Sequence, residues 1–254
     1  MGGNPKGSDF RMSRHPRIRS VMLMLCASLT GLQAQVAAVH GRIEVEGAKA
    51  NQGPVPATVV WLTPVPGTVS GPVPEMPPPP SGLKLIQRNK SFDPHLLVVP
   101  AGTVVEFPNH DPFFHNVFSL FEGKRFDLGL YEAGSSRMVH FDRPGISYVF
   151  CNIHPDMSAV VITMSTPFYA VANGDGQLAI PNLPYGRYMM HLWSEGTAPE
   201  SAQPKAREIT IGDSSTSLGV IRVPAANKQN LAHKNKYGRD YDSPTPDNPV
   251  YRQQ

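Results

Sequence analysis

Cysteine is nearly absent. The 254 residues contain two, Cys26 and Cys151, too few for a disulfide-stapled scaffold. Basic character is also missing once the N-terminus is set aside. Residues 1–38 carry Lys6, Arg11, Arg14, Arg17 and Arg19 against Asp9. Without these five of the 23 basic and one of the 20 acidic residues, 18 face 19, and the formal charge of +3 becomes −1. No basic patch is left to bind nucleic acid. There is no Ser/His/Asp arrangement, no phosphate-cradling glycine loop and no paired-carboxylate motif, so the chain reads as a non-enzyme. Glu106, Asp111 and Asp127 read as strand-edge and turn carboxylates. Long apolar runs are missing as well. The apolar stretch Val21–Leu32 is too short to span a membrane.

Four arginines before that stretch, and Val36-Ala37-Ala38 after it, make residues 1–38 a signal peptide. Cleavage is placed after Ala38, with Ala34 and Ala37 as alternatives, and an uncleaved anchor is the rival reading. The mature chain is then exported or periplasmic, has no stable membrane span, and carries one cysteine, a thiol that needs protection. With 27 prolines and 22 glycines, the composition suits turn-rich all-β structure and argues against long helices. Hydrophobic residues at 40% are enough for a packed core.

The chemistry concentrates in Cys151-Asn152-Ile153-His154-Pro155-Asp156-Met157, with His115 upstream. A thiolate, two imidazoles and a thioether are the donor set of a mononuclear type 1 copper centre, because soft sulfur suits Cu(I) and imidazole suits both oxidation states. The thioether argues against zinc, which takes Cys, His and carboxylates. Three candidates within seven residues fit a loop, so the fourth must come from a distant strand end. His95, His110 and His140 have no partner pattern. β-rich runs flank the motif at 146–151 and 159–164, with further strands expected at 84–90, 96–99, 103–107, 115–118, 126–131 and 137–141.

On these residues the stretch 84–165 resembles the cupredoxin family, and within it amicyanin and plastocyanin. The gap between His154 and Met157 is similar to that of amicyanin. The resemblance implies His115, Cys151 and His154 as strong copper ligands, Met157 as the weak axial one, and His154 facing solvent. It implies one-electron transfer with a c-type cytochrome or a periplasmic dehydrogenase, by a monomer holding one type 1 copper. Phe107-Pro108-Asn109 before the histidine and Phe126-Asp127-Leu128-Gly129 after it resemble exported plastocyanin-like proteins labelled methylamine utilisation proteins. One departure stands out. The family's second residue after the cysteine is proline, whereas here it is Ile153, which keeps an N–H. A copper carrier or storage role, and a noncatalytic surface-binding protein with structural copper, remain as alternatives.

Outside that region, strands are expected at 39–46, 57–62, 168–173, 177–180, 187–193, 206–211 and 218–223. Gly174-Asp175-Gly176 is expected to turn and Pro181–Gly186 to form a loop. Residues 166–225 resemble a carboxypeptidase regulatory-like, transthyretin-like sandwich. The early strands in 39–63 have the composition to complete it, which would place the cupredoxin region, 83–165, as an insertion; tandem domains are the alternative. Residues 64–82 read as a proline-rich spacer loop and 226–254 as a disordered polar tail. The expected fold is all-β: a cupredoxin Greek-key β-sandwich plus a second, small transthyretin-like β-sandwich.

Overall fold

The structure is a computed structural model that describes residues 1–3, 35–47, 55–120, 123–195, 206–213, 216–226 and 233–241. The expected signal peptide lies almost wholly outside them. Two units separate, Met1–Gln33 and Ala34–Gln254. Among the described residues no helix is long and apolar enough to cross a membrane.

The second unit is all-β. Its strands are β1 (Val36–Val45), β2 (Thr58–Pro64), β3 (Leu83–Lys84), β4 (Ile86–Arg88), β5 (Ser91–Asp93), β6 (Leu96–Pro100), β7 (Thr103–Pro108), β8 (His115–Ser119), β9 (Phe126–Tyr131), β10 (Ser136–Phe141), β11 (Gly145–Cys151), β12 (Ser158–Met164), β13 (Tyr169–Val171), β14 (Gln177–Pro184), β15 (Gly186–Ser194), β16 (Arg207–Ile211) and β17 (Ser217–Val223). Four main sheets have the orders β14-β1-β17, β13-β2-β15-β16, β6-β12-β11-β8-β9 and β10-β7-β3.

Period-two alternation stacks these sheets in that order around three apolar layers. Along β2, Val60 and Leu62 enter the first layer with Ile43, Ile180 and Tyr188, while Val59 enters the second with Trp193. Along β11, Tyr148 and Phe150 face the second layer and Val149 and Cys151 the third. Along β12, Val160 and Ile162 face the second layer, and Ala159 and Val161 the third. The inner sheets are covered on both faces, so their strands read as near-continuous apolar runs.

Strands from both ends of the chain share sheets. β2 pairs with β15 from Thr58↔Ser194 to Pro64↔Tyr188. β1 lies between β14 and β17. The intervening β3–β12 form the remaining sheets, in which β6 runs parallel to β12. The Gly174-Asp175-Gly176 turn depends on its last glycine. Gly176 has φ +78°, and a Cβ there would collide with the Ile43 carbonyl oxygen.

The loop expected at Pro181–Gly186 is not a loop, since β14 continues to Pro184. β14 is an edge strand, where a proline costs no ladder bond. The register slips between Ala37 and Val39, opposite Asn182, which takes a positive φ of 55°. An irregularity therefore carries the strand past Pro181.

The second layer joins the four-stranded sheet to the five-stranded one. Burying one large apolar side chain is worth about 1.5–3 kcal/mol, and this layer buries Val59, Phe118, Tyr148, Phe150, Val160, Ile162, Met164 and Trp193. A partly exposed ion pair adds at most about 1 kcal/mol. One spans the same boundary, His95 Nε2 to Glu195 Oε1 at 3.0 Å. Apolar contact thus dominates, and the pair makes the junction pH-sensitive.

His95 is held above its ordinary 6.5, mainly by Glu195 and against burial. Glu195 is held below 4.5, mainly by His95. The histidine's contribution is complete below pH 6.5 and fades as pH rises through its raised value. The carboxylate's is present above pH 4.5 and fades as pH falls through its lowered value. Thermal melts are therefore expected to show stability falling as pH rises from 6.5, and His95→Gln to remove that fall.

Candidate metal centre

The three nearest donors come from two places. His115 opens β8, Cys151 closes β11, and His154 follows in the loop to β12. Cys151 pairs with Val117 across the β11–β8 ladder, which brings the strand ends together. The Cys151 Sγ lies 3.6 Å from His115 Nδ1 and 3.5 Å from His154 Nδ1. These donor atoms all fall within 4.8 Å of one another. Bonds of about 2.3 Å to thiolate and 2.0 Å to imidazole, meeting near a tetrahedral angle, span about 3.5 Å. The three residues can therefore hold a metal ion.

Met157 is fully buried and packs in the same apolar layer as Cys151. The loop is closed on itself: Cys151 N–H donates to the Met157 carbonyl and Met157 N–H to the His154 carbonyl, each at 3.1 Å. Asn152 N–H donates to the Asn116 carbonyl at 2.8 Å and ties the loop to β8.

Burial sets the protonation states. It pushes the Cys151 thiol up, while the backbone N–H groups of Asn116, Ile153 and His154 act in the opposite direction. These N–H groups favour a thiolate once a cation arrives. Burial pushes His154 down to about 4, helped by His115 and Lys90. It also lowers His115, against the pull of Asp111. Both imidazoles are neutral at pH 7, the form that binds metals. His154 is the most exposed of the three, but at 8% it is not solvent-facing. Phe113 covers it, with its ring centroid 5.4 Å from those of His115 and His154. Phe114 is 50% exposed and Pro112 and Pro155 are open to solvent.

Asp111, expected as a turn carboxylate, instead orients a candidate ligand. Its Oδ2 accepts from His115 Nε2 at 2.9 Å, which leaves Nδ1 turned toward Cys151. The carboxylate is itself held by the N–H groups of Asn89 (2.6 Å) and Lys90 (3.0 Å). Those residues form the two-residue turn of the β4–β5 hairpin, with φ 53° and 54°, the geometry of a type I′ turn. Asn suits it; Lys carries strain there. The sequence signal was a carboxylate four residues before a candidate histidine, inside Asn109-His110-Asp111-Pro112. His110 contacts Arg88 and His95 contacts Glu195; neither joins the cluster.

Carboxylates behind metal-bound histidines typically matter 10–100-fold for affinity. Asp111→Asn keeps the shape but weakens the acceptor. It is expected to lower metal affinity about tenfold, read by competition titration against a chelator, and to lower the melting temperature of the metal-free chain as well, because the new amide N–H2 faces at least one of the N–H groups from which the carboxylate accepts.

Fold and site together define an all-β protein with a buried His–Cys–His group. No protein-family model matches the chain, and no curated protein matches it. Among solved structures it is similar to a copper-containing nitrite reductase from Thermus scotoductus SA-01, at 26% identity over 34% of this chain, with TM-score 0.32. The match spans 23% of that reductase. It is also similar to a purple cupredoxin from Nitrosopumilus maritimus, at 24% identity over 33% of this chain and 100% of that one, TM-score 0.31. A reduced amicyanin variant aligns at 18% identity over 33% of this chain and 83% of that one, TM-score 0.31.

Proposed function

We propose that the chain is an exported blue-copper protein that passes single electrons between redox partners. The observation that carries the reading is the buried cluster of two Nδ1 atoms and one thiol, with all three donor atoms within 4.8 Å of one another. His115, Cys151 and His154 would hold one copper, with Met157 as the weak axial donor; the bound copper supplies a one-electron couple. The chain's own residues supply rigidity and dryness. Asp111 fixes His115, the closed loop fixes Cys151 and His154, and Phe113 excludes water from both imidazoles. Exposed Phe114 and Pro112, which flank Phe113 in sequence, offer an apolar rim suited to brief docking of a c-type cytochrome or a periplasmic dehydrogenase. The sheets β14-β1-β17 and β13-β2-β15-β16 form the second sandwich, similar to a carboxypeptidase regulatory-like domain, with the copper domain inserted between its early and late strands.

The N–H of Ile153 separates this site from the proline-bearing pattern. A bond to the thiolate weakens its donation and favours the reduced state. Ile153→Pro is expected to keep the blue site and lower its potential by tens of millivolts, since about 1 kcal/mol corresponds to roughly 40 mV for one electron. Reversible voltammetry of the copper-loaded protein tests both points. A wild type that cannot be cycled, yet hands copper quickly to an apo-acceptor, would replace the carrier of electrons with a carrier of copper.

A further inference from the structure

The polar stretch after 226 was expected to lack structure, yet residues 233–241 form a turn that lies against the ligand loop. Asn235 organises it. Its side-chain oxygen accepts from Tyr237 and Arg239 N–H at 3.0 and 3.1 Å, and its backbone closes on Gly238 and Arg239 at 2.9 Å each. From this turn, contacts reach both ligand-bearing segments. Tyr241 OH donates to the Cys151 carbonyl at 2.7 Å. Lys236 N–H donates to Asn152 Oδ1 at 2.9 Å. The His233 ring stacks on Phe150, centroids 3.8 Å apart, and its Nδ1 lies 3.1 Å from Tyr241 OH. Lys236 Nζ pairs with Asp127 at 2.8 Å, and Asp127 in turn accepts from the Asn116 side chain at 2.9 Å.

We infer that residues 233–241 are a working part of the metal centre, and that Tyr241 is a positioning residue that clamps the loop carrying Cys151 and His154. Three of the four candidate donors sit within seven residues, at the end of β11 and on the loop that follows it. Such a loop opens locally far more readily than the sheets around it. The loop's own bonds go to β8 and back to itself; the strap adds bonds to the Cys151 carbonyl and the Asn152 side chain. Each bond lost raises the population of the open loop, and one neutral hydrogen bond corresponds to about a fivefold change. Clamping does two things at once. It keeps a lone thiol shut away, and it holds two donors still, which is what rapid electron exchange needs. The second of these rests on the copper reading above; the first does not.

The test therefore has a readout without metal. The full-length, metal-free chain is treated with iodoacetamide, and modification is followed at the Cys151 peptide by mass spectrometry. Tyr241→Phe keeps the ring against His233 and removes the hydroxyl, with its bond to the Cys151 carbonyl and its contact with His233 Nδ1; loss of the Cys151 bond alone should make Cys151 alkylate about five times faster. The pair His233→Ala with Tyr241→Ala, which also removes the stack on Phe150, should go further. Tyr237→Phe alters a side chain on the same turn that is 71% exposed, and should change nothing. Loss of Cu(I) to a chelator should accelerate in the same order. Faster alkylation in a protein that takes up no copper would uphold the clamp and refute the copper reading. Unchanged alkylation in Tyr241→Phe and in the double variant, with thermal melts showing both folded, would overturn the clamp whether or not copper binds.

Discussion

Cys151→Ser is expected to abolish the intense visible absorption of the copper-loaded protein and to lower its copper affinity by orders of magnitude. The thiol is fully buried and stands within 3.6 Å of both imidazole nitrogens, so no other described side chain in the cluster can take its place. A serine hydroxyl neither ionises at neutral pH nor offers the soft donor that Cu(I) prefers. The charge-transfer band belongs to the sulfur and must leave with it. The metal-free fold should survive. The hydroxyl is smaller than the thiol and fits the same buried position. Optical titration with Cu(II), paired with a thermal melt of the apo-protein, separates loss of the site from loss of the fold.

Trp193→Ala is expected to destabilise the protein by about 3–5 kcal/mol, the usual cost of removing a large buried aromatic side chain. Trp193 is 3% exposed and lies in the apolar layer between the four- and five-stranded sheets. Its indole N–H donates to Tyr148 OH at 3.1 Å across that layer. The cavity would open between two sheets, each already braced on its far side, so neither can collapse far to fill it. Denaturant melts followed by fluorescence and by the copper band should both shift, because the layer is common to both halves. A loss below about 1 kcal/mol, in the range of an ordinary surface substitution, would mean that the sheets do not share a core there.

Much of this was legible in the sequence because strands announce themselves by their period. The runs at 96–99, 115–118, 146–151 and 159–164 became β6, β8, β11 and β12 with ends moved by a residue. The donor cluster was legible because His115, Cys151 and His154 are chemically specific and three of the four candidates are close in sequence. Other features depend on contacts between distant segments. Asp111 looked like a turn residue because a carboxylate after a histidine has many uses, and only the β4–β5 turn shows that its oxygens are held for His115. His154 was expected to face solvent; Phe113, in the same short segment, folds over it. The strap at 233–241 carries almost no apolar pattern. It is held by hydrogen bonds to the Cys151 carbonyl and the Asn152 side chain, an ion pair with Asp127 and an aromatic stack on Phe150, and none of these leaves a periodic signal. Pro181 read as a strand breaker because the sequence does not say which strand will be an edge.

The most direct test is an electron paramagnetic resonance spectrum of the chain titrated with Cu(II), recorded with its visible spectrum. Copper held by Cys151, His115 and His154 should saturate at one ion per chain. It should show the small hyperfine splitting of a covalent copper–thiolate bond, together with the charge-transfer band, and both should vanish reversibly on one-electron reduction. Copper bound with the large splitting of an all-nitrogen and oxygen site, or zinc displacing copper from the cluster under copper-replete conditions, would contradict the blue-copper assignment.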